Sequence, residues 1–239
     1  MENEHILILG ANSDIAKELS IFFARDKFNL DLASRNTTSL KKLKNFLELK
    51  YNIKAEILYF DACDFKSHKK FYDNLKTKPF GVVIAFGYLG NQLKAQEDFE
   101  ESKKIFDTNF LGASNMLEIV SKDLEKRKKG FIIGISSVAG DKGRKENYFY
   151  GTSKGAFSIY LEGLRSRLAK SNINVLTIKP GWVYTKMTKH MDLNSRITAT
   201  SKKVAKDIYK ANKKRKKVIY TPWFWKYIMF LVKFIPINL

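Results

Sequence analysis

Short apolar runs alternate along this chain with longer stretches in which hydrophobic residues recur every three or four positions. Ile6 to Leu9 is the first apolar run; Gly10 then opens a turn, and an amphipathic stretch starts at about Asp14. Phe28 to Ala33 is a second run, ending in Ser34-Arg35-Asn36, and Leu40 to Lys50 has helical periodicity. Ala55 to Phe60 predicts a third strand closing on Asp61, and Gly81 to Phe86 a fourth ending in Gly87. Phe131 to Ile135 and Asn174 to Ile178 predict two more, the last running into Pro180-Gly181. Helix-like stretches occupy 66–76, 98–127 and 148–170. Strands alternating with helices predict an α/β chain: a doubly wound parallel sheet in three layers, α/β/α. Ligands of such sheets bind at the carboxyl ends of the strands. Each motif that follows one of these strands falls at such an end.

Gly10, Asn12, Ser13, Asp14 and Ile15 form a strand–turn–helix junction, which can present backbone N–H groups and a helix N-terminus to a pyrophosphate. Only Gly10 remains of the three glycines usual in such turns; Asp14 and Ala16 stand in the other two places. A second constellation follows the fifth strand. Ser137 ends the strand, a polar loop intervenes, and Tyr150 and Lys154 lie one helical turn apart on one face. A free tyrosine has a pKa near 10, and an adjacent ammonium is expected to lower it toward a useful acid–base range. A serine hydroxyl beside the tyrosine can hold a carbonyl oxygen. The set suits reversible carbonyl–alcohol chemistry, although Tyr-x-x-x-Lys alone equally describes an amphipathic helix with a buried tyrosine and a solvated lysine.

Taken together, these residues resemble the short-chain dehydrogenase/reductase family over nearly the whole chain, and the resemblance implies a Rossmann-like fold. It implies a catalytic tetrad of Asn109 (in DTNFLGA), Ser137, Tyr150 and Lys154. In that scheme Tyr150 is the general acid during reduction, Lys154 holds the nicotinamide ribose, Ser137 orients the carbonyl and Asn109 supports a water relay. Asp61 and Ala62 would border the adenine, Gly87 would let the adenosine pass closely, and Pro180, Gly181, Val183 and Thr185 (KPGWVYTKM) would border the carboxamide. NADP(H) is favoured over NAD(H), because Ser34-Arg35 offers a hydroxyl and a guanidinium where an acid would accept ribose hydroxyls. AFGYLG departs from the family's Asn-Asn-Ala-Gly signature. AFGYLGNQ, SSVAGDKGRKENYFYGTSK, KPGWVYTKMTKHM and the tail VIYTPWFWKYIMFLVKFIP resemble the branch that reduces decaprenylphosphoryl-2-keto-ribose. That likeness implies a lipid-linked 2-keto sugar as substrate and a partner oxidase that supplies the ketone. The family also implies a homo-oligomer. Tyr88, Gln92, Lys142, Arg144 and Lys145 are candidate contacts for the sugar and its phosphodiester. Other ketone, sugar or acyl substrates, or a non-catalytic dinucleotide-binding module, are the alternatives.

Composition changes the picture at few points. The 239 residues suffice for one domain, placed at 1–220, with 221–239 as a separate aromatic and basic tail. The single cysteine, Cys63, rules out an internal disulfide and suits a reducing cytoplasm. The opening MENEHILILG lacks the pattern of a secretory signal, and the three histidines are scattered, so no metal is expected. A net charge of +20 invites a nucleic-acid partner, but lysine is spread along a chain rich in Asn, Ile and Phe, so none is expected. Lys202 to Lys217 holds nine basic residues, and the aromatic stretch after Pro222 carries two lysines. That stretch is too short to span a bilayer. It suits a helix lying at the headgroup boundary, with the basic run adding attraction to anionic lipid. Closure of a substrate pocket or a subunit contact is the other reading.

Overall fold

A computed structural model describes residues 4–235. The chain runs β1 (His5–Leu9), α1 (Asp14–Arg25), β2 (Asn29–Ser34), α2 (Lys41–Tyr51), β3 (Ala55–Tyr59), α3 (Ser67–Asp73) and β4 (Gly81–Ile84). It continues through α4 (Gln92–Glu97), α5 (Phe99–Phe106), α6 (Gly112–Arg127), β5 (Phe131–Ile135), α7 (Tyr148–Leu168) and β6 (Asn174–Pro180). Last come the two-residue strands β7 (Val183–Tyr184) and β8 (Ala199–Thr200), then α8 (Ser201–Lys213), β9 (Val218–Thr221) and α9 (Trp225–Phe234). The main sheet has seven parallel strands in the order β3-β2-β1-β4-β5-β6-β9. The order reverses between β1 and β4, and that switch point opens the crevice above the strand ends.

The central strands are buried on both faces, which is why they read as continuous apolar runs. On one face, Ile15, Ala16, Leu19 and Phe23 of α1 pack with Val204, Ala205 and Ile208 of α8. On the other, Met116, Leu117 and Val120 of α6 pack with Phe157, Leu161 and Leu164 of α7. A third, smaller cluster joins Val138 to Trp225 and Met229 of α9.

Three findings differ from the sequence reading. The stretch 98–127 is not one helix. Asp98 caps α5 by accepting from Glu100 N at 2.9 Å, and a π-helical segment, Asp107–Leu111, separates α5 from α6. π-Segments recur at functional sites because the extra residue re-aims side chains; here Asn109 is turned into the interior. The basic run is likewise not one feature. Its first part is α8, whose apolar positions were masked by intervening lysines. Its end, Lys214–Lys217, is the turn entering β9, at the edge of the sheet opposite the crevice. Finally, β9 is an unanticipated seventh strand paired with β6, so the boundary expected at 220/221 falls inside a strand.

Candidate active site

The carboxyl ends of the central strands and the loop after β6 enclose a cavity of about 630 Å³. The β1–α1 turn contributes Gly10, Asn12, Ser13, Asp14 and Ile15, and the end of β2 contributes Ser34 and Arg35. Asp61 and Ala62 follow β3, and Gly87 and Tyr88 follow β4. Ser137, Tyr150 and Lys154 line the same space, as do Pro180, Gly181, Val183 and Thr185. Residues chosen from scattered strand ends thus share one cavity.

The cavity suits a dinucleotide. Gly10 has φ of 87°, and a Cβ there would lie 2.4 Å from the Phe86 backbone nitrogen, so only glycine makes this turn. Ser13 makes no side-chain cap, so the first turn of α1 meets the cavity with its N–H groups uncapped, as an anion requires. Ala16 is fully buried, its methyl accommodated between helix and strand. A Cβ on Gly87 would come 3.3 Å from the Lys154 ammonium, so the missing side chain keeps a passage to that lysine. Arg35 is exposed at the rim and forms no hydrogen bond or ion pair with the described residues. Ser34 is engaged: Asn12 Nδ2 donates to its Oγ at 2.6 Å, and it donates to Asn36 O at 2.9 Å.

At the other end, the Ser137 side chain beside Tyr150 favours the ionised phenol. Burial nevertheless dominates, and the phenol is pushed up to about 12. The expected depression by Lys154 is not seen. That ammonium lies 5.9 Å from the centre of the Tyr150 ring and donates to Ile135 O at 3.1 Å. Burial lowers its own pKa to about 8. At neutral pH the site therefore holds a protonated phenol beside a lysine poised to titrate.

Asn109 lies outside the cavity lining. Its Oδ1 accepts from Tyr88 N at 2.8 Å, and its Nδ2 donates to Tyr88 O at 2.7 Å and to Ser153 Oγ at 3.1 Å. Both amide hydrogens are committed, so the side chain clamps the main chain after β4. Of the candidate sugar contacts, only Tyr88 lines the cavity; it donates to Glu101 Oε1 at 2.8 Å. Gln92 instead accepts from Phe149 N at 3.2 Å, bracing the start of α7. Lys142 caps the end of α9 through the carbonyls of Lys233 and Ile235, Arg144 packs on the Met229 sulfur, and Lys145 is exposed.

Sequence reasoning missed Lys104, Lys186, Met187 and Thr188, all of which line the cavity. Lys186 carries the most telling contact: its backbone N–H donates to Asp14 Oδ2 at 2.7 Å, tying the loop after β6 to the turn after β1. Its position directly after Thr185 was the available signal. Among the described residues no cluster of three His, Cys, Asp or Glu side chains could hold a metal.

Residues 4–196 match the family model described as short chain dehydrogenase. An uncharacterized oxidoreductase of Mycobacterium tuberculosis is 28% identical over 234 residues, covering 97% of this chain and 93% of that protein. An NADP-dependent 3-hydroxy acid dehydrogenase of Schizosaccharomyces pombe is 25% identical over 193 residues, 79% of this chain and 74% of that one. The solved structure of a short-chain dehydrogenase from Sphingobium yanoikuyae in complex with NADPH superposes with a TM-score of 0.84. It is 19% identical, the match covering 98% of this chain and 96% of that one, and speaks for the fold.

Proposed function

The chain belongs to the short chain dehydrogenase family of NAD(P)-dependent oxidoreductases, and from that premise we propose that it reduces a keto group with Tyr150 as proton donor. The observation that carries this reading is that Ser137, Tyr150 and Lys154 line one cavity with the uncapped N-terminus of α1. A nicotinamide cofactor, when bound, supplies the hydride. The N–H groups of Ser13, Asp14 and Ile15 would hold its pyrophosphate, and the free guanidinium of Arg35 favours a 2′-phosphate, hence NADP(H).

In this scheme a substrate carbonyl oxygen accepts from both the Ser137 and Tyr150 hydroxyls, which fixes its orientation. Burial keeps the phenol protonated at neutral pH, so Tyr150 enters reduction in the state that can donate. As the oxygen becomes an alkoxide, the Tyr150 proton moves to it, and the positive charge of Lys154 steadies the resulting phenolate. Lys154 would also donate to the ribose hydroxyls of that cofactor. Asn109 acts by position, holding Tyr88 and the Gly87 passage.

For the substrate we favour the 2-keto group of a polyprenyl-phosphoryl pentose, made by a partner oxidase and presented at the cytoplasmic face of a membrane. The resemblance of the four segments quoted above supports this choice. So does the packing of the aromatic tail against the site: Trp225 lies against Gly181, where a Cβ would fall 2.0 Å from its ring. The test is oxidation of NADPH and NADH with a short-chain polyprenyl-phosphoryl 2-keto-ribose. Turnover that Tyr150→Phe abolishes, with cofactor binding kept, is the expected result. Full turnover by that variant would refute the acid assignment, and cofactor binding without turnover by the wild type would refute the substrate.

A further inference from the structure

Helix α9 is apolar on both sides. Trp225, Ile228, Met229 and Val232 face inward, at the spacing of one helical stripe, and pack with Val138, Trp182 and Ile197. The opposite side carries Tyr227, Phe230, Leu231 and Phe234, preceded by Trp223, and these five are between 60% and 73% exposed. Their rings form two contacting pairs, Trp223 with Tyr227 at 5.9 Å and Phe230 with Phe234 at 5.1 Å, and Tyr227 and Phe230 are one helical turn apart on the same face. A contiguous aromatic surface of this kind marks an interaction site.

The charges around it indicate what covers it. Lys226 and Lys233 flank the patch, Lys142 sits at the end of the helix, and residues 218–235 contain no acid. The nearest carboxylate, Asp141, is almost wholly buried 3.9 Å from Lys233 and is already bonded by Lys179 and Tyr220. A symmetric contact of this helix with its copy would gather these lysines in one interface to which residues 218–235 bring no acid. Tryptophan and tyrosine rings with flanking lysines suit the boundary between anionic headgroups and acyl chains. No helix among the described residues is long and apolar enough to cross a membrane, so α9 would lie in the plane.

We propose that the outer face of α9 docks on an anionic lipid surface, with Trp223, Tyr227, Phe230, Leu231 and Phe234 entering the interface and Lys226 and Lys233 meeting headgroups. On the inner face of the same helix Trp225 packs against Gly181, which lines the cavity, so docking holds the site near the surface where a lipid-linked substrate resides. The inference extends the lipid-carrier reading but does not require it.

The test is co-sedimentation of the full chain with phosphatidylcholine vesicles and with vesicles containing equal parts of phosphatidylglycerol, alongside light scattering of the lipid-free protein. The wild type is expected to pellet with the anionic vesicles and to be released by salt. Phe230→Ser combined with Phe234→Ser lowers the partition coefficient at least about tenfold, and Lys226→Gln lowers it about fivefold. Because both phenylalanines are exposed, thermal melting and cofactor binding should be unchanged, which separates failure of docking from failure of the reductase reading. Three results would overturn the proposal: no binding to either vesicle, equal binding of the double variant and the wild type, or a lipid-free oligomer that the double variant dissociates.

Discussion

Lys154 is a cationic side chain only 3% exposed, and its one hydrogen bond among the described residues is to Ile135 O. Burial lowers its pKa from an ordinary 10.5 to about 8, a gap equivalent to about 3 kcal/mol held against the charged form. Below pH 8 the lysine is protonated in folded and unfolded chains alike, and the fold carries the whole penalty. Between pH 8 and 10.5 the unfolded chain binds more protons, so stability rises with pH until the penalty is gone. Tyr150, pushed up to about 12, is neutral in both states up to about pH 9; above that its ionisation in the unfolded chain lowers stability, equally in wild type and variant. Lys154→Met keeps the length of the side chain and removes the charge. Allowing about 1 kcal/mol for the lost hydrogen bond, the variant should be more stable at pH 7 by about 2 kcal/mol, and near pH 10 the advantage should fall to about zero. Urea unfolding followed by tryptophan fluorescence, on both proteins at both pH values, measures the double difference and cancels every other titrating group. A variant no more stable at pH 7, or an advantage independent of pH, would refute the reasoning.

Three further outcomes can be checked directly. Arg35→Ala should weaken NADPH binding by roughly ten- to a hundredfold while leaving NADH nearly unchanged, because only the 2′-phosphate needs the free guanidinium; fluorescence titration of both cofactors decides it. Asp14→Asn keeps an acceptor for the Lys186 N–H but removes a negative charge from the first turn of α1. Cofactor affinity should therefore rise by up to about fivefold, and a fall would show that the charge holds the loop. Gly181→Ala drives a methyl into the Trp225 ring and should cost about 1–3 kcal/mol of stability. A combined Gly181→Ala, Trp225→Leu protein that recovers part of that loss in thermal melting would trace it to this contact.

Six of the seven strands of the main sheet, and many of the residues at their carboxyl ends that line the cavity, were legible in the sequence; Lys104, Lys186, Met187 and Thr188 were not. Buried parallel strands are written as local apolar runs, and in this topology the residue after each run lies at the site. β9 and α8 were not legible. Val218–Thr221 is short and follows five cations, and the buried positions of α8 are diluted by lysines that only packing on α1 shows to face outward. The stretch 98–127 hid its π-segment because periodicity reports a helix without its hydrogen-bond register.

The chemistry divides in the same way. Tyr150, Lys154 and Ser137 are recognisable by spacing, since helix geometry and a strand end fix their relation locally. Their proton affinities are not, because burial is a property of the closed cleft: it raised Tyr150 where the neighbouring charge suggested a lowering, and it lowered Lys154. Tertiary structure also moved Gln92, Lys142 and Arg144 out of the cavity into bracing contacts with α7 and α9. It brought Lys186 to Asp14 across 172 positions of chain. Sequence determined which groups stand at the strand ends; the packing of distant segments alone decided which of them face one another and in what state of charge.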